Sequence, residues 1–439
     1  MTRLTRRGAL AALATLAGCG GANPLSSSDT TELDAAALRA AVADSPPSVP
    51  DRLPVGVGSE HLQASERRAR TLLDAVPADL GPDEIPNGAI REEVRRVREG
   101  AAERVVRATE AASPFERLSA LAGARADARF AAAAWRAIDA GLTHEDVADE
   151  ATAVREDRRA LWERWSYVGG DPVDAALVHA AIEDRLDTAD RIANLGRSRH
   201  YRAGNPLAVG EAAEDLEDAR VAVDDAAHIY DRQTTAVDDP TDLRPRLLAA
   251  AESLREAFDA ERSALDLVEP DADAPRPWEP EGVDLSRTPV GGALEGLYRS
   301  IRPGAPRDPP DGQTVARSLL HRHESFASLW AFESLRARVA DDSGEAFAVD
   351  SADDVATIRA DAVAALRAAD AEPRVPALTR AALVDLTRQV AWVDGDIADR
   401  DRDVPVRALH HEVSTYLVVG ARAREVPRAS ERVAEALRS

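Results

Sequence analysis

Four of the nine histidines stand in two short runs, His321-Arg322-His323-Glu324 and His410-His411-Glu412. On a helix, residues three apart share a face, so His321 and Glu324 could grip one divalent ion between an imidazole nitrogen and a carboxylate oxygen. His323 points elsewhere, about 200° around the same helix. If the C-terminal helices pack antiparallel, His410 or His411 approaches the pair and completes a set of two nitrogens and one carboxylate. Zinc takes such a set, and so does iron with open positions. The competing reading is interfacial histidine, hydrogen-bonded to neighbouring carboxylates or backbone. Asp225-x-x-His228 and His179-x-x-x-Glu183 are same-face pairs too, and helices this acidic produce such pairs by accident. A di-iron bundle needs Glu-x-x-His twice, and the chain contains no such motif.

His321-x-x-Glu324 resembles half of the Gly-x-His-x-x-Glu motif of imelysin-type lipoproteins, which are helical, extracellular and handle metal. Leu319 stands where that motif has glycine, so the resemblance covers only four residues.

Absences narrow the chemistry further. All 55 basic residues are arginine, which removes the Walker lysine, Schiff-base catalysis and the serine–lysine dyad. G-x-S-x-G, H-E-x-x-H and G-x-G-x-x-G are all missing. Gly291-Gly292 and Gly296 open a short helical stretch, but a phosphate nest there would face strong surface acidity, so the glycines read as a turn. Trp162 and Trp165, near Leu161 and Tyr167, make one aromatic face that serves either as core filling or as a ligand wall.

Thr5-Arg6-Arg7 precedes an apolar run from Gly8 to Gly18. This is about half the length that a bilayer-spanning helix requires. Arg6, Arg7 and Leu10 resemble a twin-arginine export signal, and Leu16-Ala17-Gly18-Cys19 resembles a lipobox. The resemblance implies a haloarchaeal lipoprotein exported folded, with Cys19 lipidated as the first mature residue. Cys19 is the only cysteine, so no intramolecular disulfide forms, and a lipidated Cys19 leaves no thiolate for catalysis or metal. The polar segment that follows reads as a tether.

A net charge of −23, the loss of lysine and 4% aromatics resemble the proteins of salt-loving archaea, in which molar salt screens self-repulsion. Outside the signal there is no basic stripe of the kind DNA binding requires, so no nucleic-acid partner is expected. The Cys19 lipid is the expected membrane contact, and a surface protein or a metal ion are the other partners the reading allows.

Nearly every periodic segment has the helical period. Ile90, Val94, Val97, Ala101, Val105 and Ala108 form one apolar stripe; Leu383, Leu386, Val390, Val393 and Ile397 form another. Ser113-Pro114-Phe115-Glu116, Thr143 to Asp146 and Asp171 to Asp174 carry helix-start chemistry. Helices are expected over 31–44, 60–76, 88–112, 114–140, 143–167, 172–199, 207–233, 241–266, 312–341, 351–370, 376–400 and 405–424. Nine of the 26 prolines fall between Pro270 and Pro310, with room for one short helix over 291–301. Trp278 and Tyr298 indicate that this stretch packs onto the bodies.

The expected architecture is all-α: a multi-helix bundle of two helical subdomains joined by a Pro-rich acidic linker. Its parts are a signal peptide (1–18), a lipidated tether (19–30), an N-terminal bundle (31–268), the linker (269–311) and a C-terminal bundle (312–439). The expected function is a lipid-anchored extracellular protein of a halophilic archaeon acting as a non-enzymatic binding or interaction scaffold. The alternative is a metal-binding protein or metal-dependent enzyme centred on His321, Glu324, His410 and His411. A solute-binding lipoprotein of a transporter fits the anchor but would need strands that are missing.

Overall fold

Helix boundaries are set by side chains that satisfy the first free backbone amides. Ser113 accepts from the Glu116 amide (3.0 Å) at the head of α4 (Pro114–Asp139), with Pro114 in the first turn. Thr143 and Asp146 cap each other's backbone at the head of α5 (His144–Arg164). Asp171 accepts from the amides of Val173 (2.8 Å) and Asp174 (3.0 Å) at the head of α6 (Pro172–Leu195). The computed structural model describes residues 32–195, 204–265, 267, 276–280, 283–302, 314–341, 347–371 and 373–439. Arg6, Arg7 and Cys19, with the rest of the expected signal and tether, lie outside the described residues.

Around α4 pack α2 (Ser59–Asp74), α3 (Gly88–Ala108) and α7 (Pro206–Ala236). The approach is close because α4 presents the buried run Ala131–Ala134 and α7 presents Gly210. A Cβ on Gly210 would stand 3.1 Å from the Phe130 ring. One apolar cluster joins α2, α3 and α4 through Leu72, Val94, Val105 and Phe130. A second joins α4, α6 and α7 through Leu118, Leu121, Ile182 and Ile229. Glu217 of α7 is fully buried where three helices meet. It accepts from Arg125 (2.8 Å), Arg68 (3.0 Å) and Arg220 (3.3 Å). Burial works to raise its pKa, but these guanidinium bonds and charges outweigh burial and hold it at about 2.

The C-terminal body comprises α8 (Arg244–Ala264), α9 (Pro289–Ile301), α10 (Val315–Asp341), α11 (Ala352–Ala371), α12 (Pro376–Ala398) and α13 (His410–Arg438). One continuous apolar cluster holds them, and it includes Leu247, Leu254 and Phe258 of α8 and Leu38 of α1 (Ala35–Ala41). Packing therefore divides the chain differently from the sequence boundaries at 31 and 268. α1 lies with α11 and α12, and α8 lies with α10 and α13. The change of body falls near β3 (Thr241–Asp242), which pairs antiparallel with β2 (Val168–Gly169). A second two-residue pair, β1 (Glu32–Leu33) with β4 (Val404–Pro405), clips the start of the described chain to the head of α13. These four pairing segments leave the architecture all-α.

Helix α13 runs to Arg438 although it contains Pro427, so it exceeds the expected end at 424. Its buried face of Val413, Tyr416, Val426, Val433 and Leu437 continues beyond the proline and holds the last turns in place. Within the proline-rich stretch, α9 is buried through Leu294, Leu297 and Ile301. Trp278 packs against Tyr298 with ring centroids 5.4 Å apart. Among the described residues no helix is long and apolar enough to cross a membrane.

Candidate ligand pocket

The histidine runs do not form one centre. His321 Nδ1 and Glu324 Oε2 are 4.0 Å apart on α10, and His321 Nε2 lies 3.1 Å from Ser325 Oγ. His323 is buried against Ser430 of α13, its Nε2 2.9 Å from the hydroxyl. The single Ser430 proton goes to the Val426 carbonyl (2.9 Å), and Thr379 donates to Ser430 (2.9 Å). His323 is therefore the donor and neutral; burial and the charge of Arg422 hold its pKa down at about 4. Ser430 lies about 30 Å of helix beyond His410. His410 and His411 thus sit at the far end of the bundle from His321 and Glu324. Among the described residues no group of three His, Cys, Asp or Glu side chains is placed to hold a metal ion.

The other same-face pairs serve contacts between helices. Asp225 Oδ1 meets His61 Nε2 at 2.7 Å, and His228 Nε2 accepts from the Gly58 amide at 2.9 Å. The two imidazoles stack with centroids 4.2 Å apart. His179 Nδ1 accepts from the Trp165 indole (3.1 Å), and its Nε2 faces the Val168 carbonyl (2.9 Å). Trp162, Trp165 and Tyr167 form an aromatic ladder against His179, so this face fills a core.

His410 and His411 line something else, a cavity of about 500 Å³ between α9, α13 and the loop before α9. A space of this size accepts a small molecule of ordinary metabolite size. Three arginines line it: Arg276 and Arg287 from the loop and Arg299 from α9. Arg276 donates to Glu279 (3.0 Å), and Arg299 pairs with Glu295 on the helix turn before it. A guanidinium carries five donors, so both retain donors beyond those bonds. Trp278 and Leu285 supply apolar wall, and Ser414 closes the α13 side by donating to the Pro289 carbonyl (2.7 Å).

Sequence dictates this geometry at the two glycines. Gly291 N is capped by Thr288 Oγ1 at 3.0 Å, so Gly291 and Gly292 form the first turn of α9 rather than a loop. A Cβ on Gly291 would come within 2.2 Å of the Leu285 carbonyl oxygen. One on Gly292 would come within 2.7 Å of Ser414 Oγ. Glycine is therefore required for close packing against the turn and against α13. The turn itself is closed by the Thr288 amide on the Leu285 carbonyl (3.2 Å), with Arg287 at its third position. Arg287 has φ +63°, and no other non-glycine residue among those described has positive φ. Glycine ordinarily takes this place, and a larger residue there costs about 1 kcal/mol. The strain places an arginine at the cavity wall.

The pocket is also where surface acidity misleads. The chain carries −23 overall, yet three arginines and one glutamate, Glu295, line this space. The first turn of α9 adds the positive end of its dipole. Long-range repulsion from the rest of the surface fades over about 3 Å at 1 M salt, while groups in a partly enclosed pocket are screened less. Beside His411, Trp392 of α12 is 58% exposed and meets the imidazole edge-on, with centroids 6.0 Å apart.

Residues 60–239 match DUF8262, a domain of unknown function, and residues 244–435 match DUF8264, a second domain of unknown function. The boundary between the matches coincides with the change of body at β3. No curated protein and no solved structure matches the chain.

Proposed function

We propose that this chain is a non-enzymatic binding protein, lipid-anchored through Cys19 on the outer face of the membrane of a halophilic archaeon, holding a small ligand between α9 and α13. The carrying observation is the 500 Å³ cavity with a strained arginine at its wall. Backbone strain that persists without serving the core marks a position kept for function. Anchor and address rest on the resemblance of Arg6, Arg7 and Leu16 to Cys19 to an export signal and lipobox. The metal alternative would have to be built on the His321–Glu324 pair alone, which supplies two ligands where a structural zinc site takes four.

The test is native mass spectrometry of the full-length chain isolated from haloarchaeal membranes in molar salt, beside the Cys19→Ser variant. The proposal expects membrane recovery only with Cys19 and one co-purifying small molecule per chain. A protein that stays in the cytosol, or that carries no small molecule in repeated preparations, contradicts it.

A further inference from the structure

We infer that the ligand is a ring-bearing organic oxyanion: a sugar or aromatic ring carrying a carboxylate, phosphate or sulfate. The inference rests on the pocket reading above and deepens it. Arg287, Arg276 and Arg299 converge on one cavity in a chain of net charge −23. An arginine fork matches the two oxygens of an oxyanion, with a geometry that a spherical halide cannot use. This discrimination matters in molar chloride, where a site built on charge alone would fill with salt.

The ring is called for by the indole that lines the cavity with the arginines. Trp278 stands in the wall, steadied by Tyr298 at 5.4 Å. An indole in the wall of an arginine-lined cavity offers an apolar face to whatever enters, and ring faces of sugars or aromatics pack on such surfaces.

The experiment is isothermal titration of the full chain in molar potassium chloride with four probes: glucuronate, glucose 6-phosphate, glucose and inorganic phosphate. The expected result is that glucuronate or glucose 6-phosphate binds at least tenfold more tightly than glucose and than inorganic phosphate. Trp278→Ala should then weaken that probe at least tenfold more than it weakens inorganic phosphate. Arg287→Gly, which relieves the left-handed strain, should melt at the same temperature or higher yet lose the ring oxyanion at least tenfold. Glucose binding as tightly as glucuronate overturns the anion and leaves the pocket reading standing. Inorganic phosphate binding as tightly as glucose 6-phosphate overturns the ring. If no probe binds and the co-purifying molecule is neutral, this inference fails alone; if nothing co-purifies either, the pocket reading fails with it.

Discussion

The carboxylate of Glu183, on α6, caps α10 by accepting from the backbone amide of Ala316 at 3.0 Å. The amide of Arg317 (2.7 Å) and the Tyr167 hydroxyl (2.7 Å) complete its bonding. One side chain from the first body thus satisfies the helix start on which the second body depends, and it is 1% exposed.

Burial pushes the Glu183 pKa up to about 7, against the pull of its hydrogen bonds. The folded chain therefore keeps a proton that the unfolded chain releases above about 4.5. The stability this adds is complete below that value and is lost as pH rises through 7. Glu183→Gln should remove that slope between about pH 5 and about pH 8 and cost about 1–3 kcal/mol, because an amide cannot accept from both backbone groups. Thermal melts across this range check it; an unchanged slope in the variant would show that Glu183 is not the titrating group.

The Glu217 site predicts the opposite sign. Its pKa of about 2 lies below the usual 4.5, so its contribution is present above 4.5 and is lost as pH falls toward 2. Arg125→Ala removes the most buried partner and leaves Arg68 and Arg220 to compensate. A loss of about 3 kcal/mol is expected for breaking a buried pair. Urea unfolding at neutral pH measures it, and a loss below about 1 kcal/mol would mean that the pair is not coupled to folding.

At the stacked histidines, burial is the first cause and the nearby His61 the second that hold the His228 pKa below its usual value. His228 accepts from the Gly58 amide through Nε2, so protonation there breaks the bond. Stability from this contact is lost as pH falls below the ordinary histidine range of about 6.5. Hydrogen exchange at Gly58 should therefore accelerate on acidification, beyond the intrinsic chemistry, before the body of α7 opens. Concerted opening of both would refute the local account.

Two glycines of α9 should separate cleanly. Gly291→Ala forces a Cβ onto the Leu285 carbonyl, and a loss of about 1–3 kcal/mol is expected. Gly296 has nothing within 4 Å of a Cβ, so Gly296→Ala should stabilise by about 1 kcal/mol through helix propensity. Denaturant midpoints decide; equal effects at the two sites would mean that the close approach at Gly291 is absent.

Much of the fold was legible because it is local. Ser113, Thr143 and Asp171 announce their helices in neighbouring residues, and the α3 and α12 stripes follow from the period of the backbone. The grouping of helices was not. Whether α8 belongs with α7 or with α10 depends on Phe258 meeting Phe326, and nothing near Phe258 in the chain encodes that contact. The pocket was hidden for the same reason. Arg276, Arg287 and Arg299 are spread over a stretch read as acidic linker, and only the fold of the turn at Arg287 brings them to one cavity. The His321 and His410 runs stand out in the sequence because their residues are adjacent, yet adjacency carries no information about opposite ends of a bundle.

The most direct measurement of the central claim is hydrogen–deuterium exchange on the full chain in molar salt, with and without a low-mass extract of its own cells. The account predicts added protection concentrated in 283–302 and the first turns of α13, abolished in Arg287→Gly. Protection confined to other helices, or the same protection in the variant, would contradict a binding site between α9 and α13.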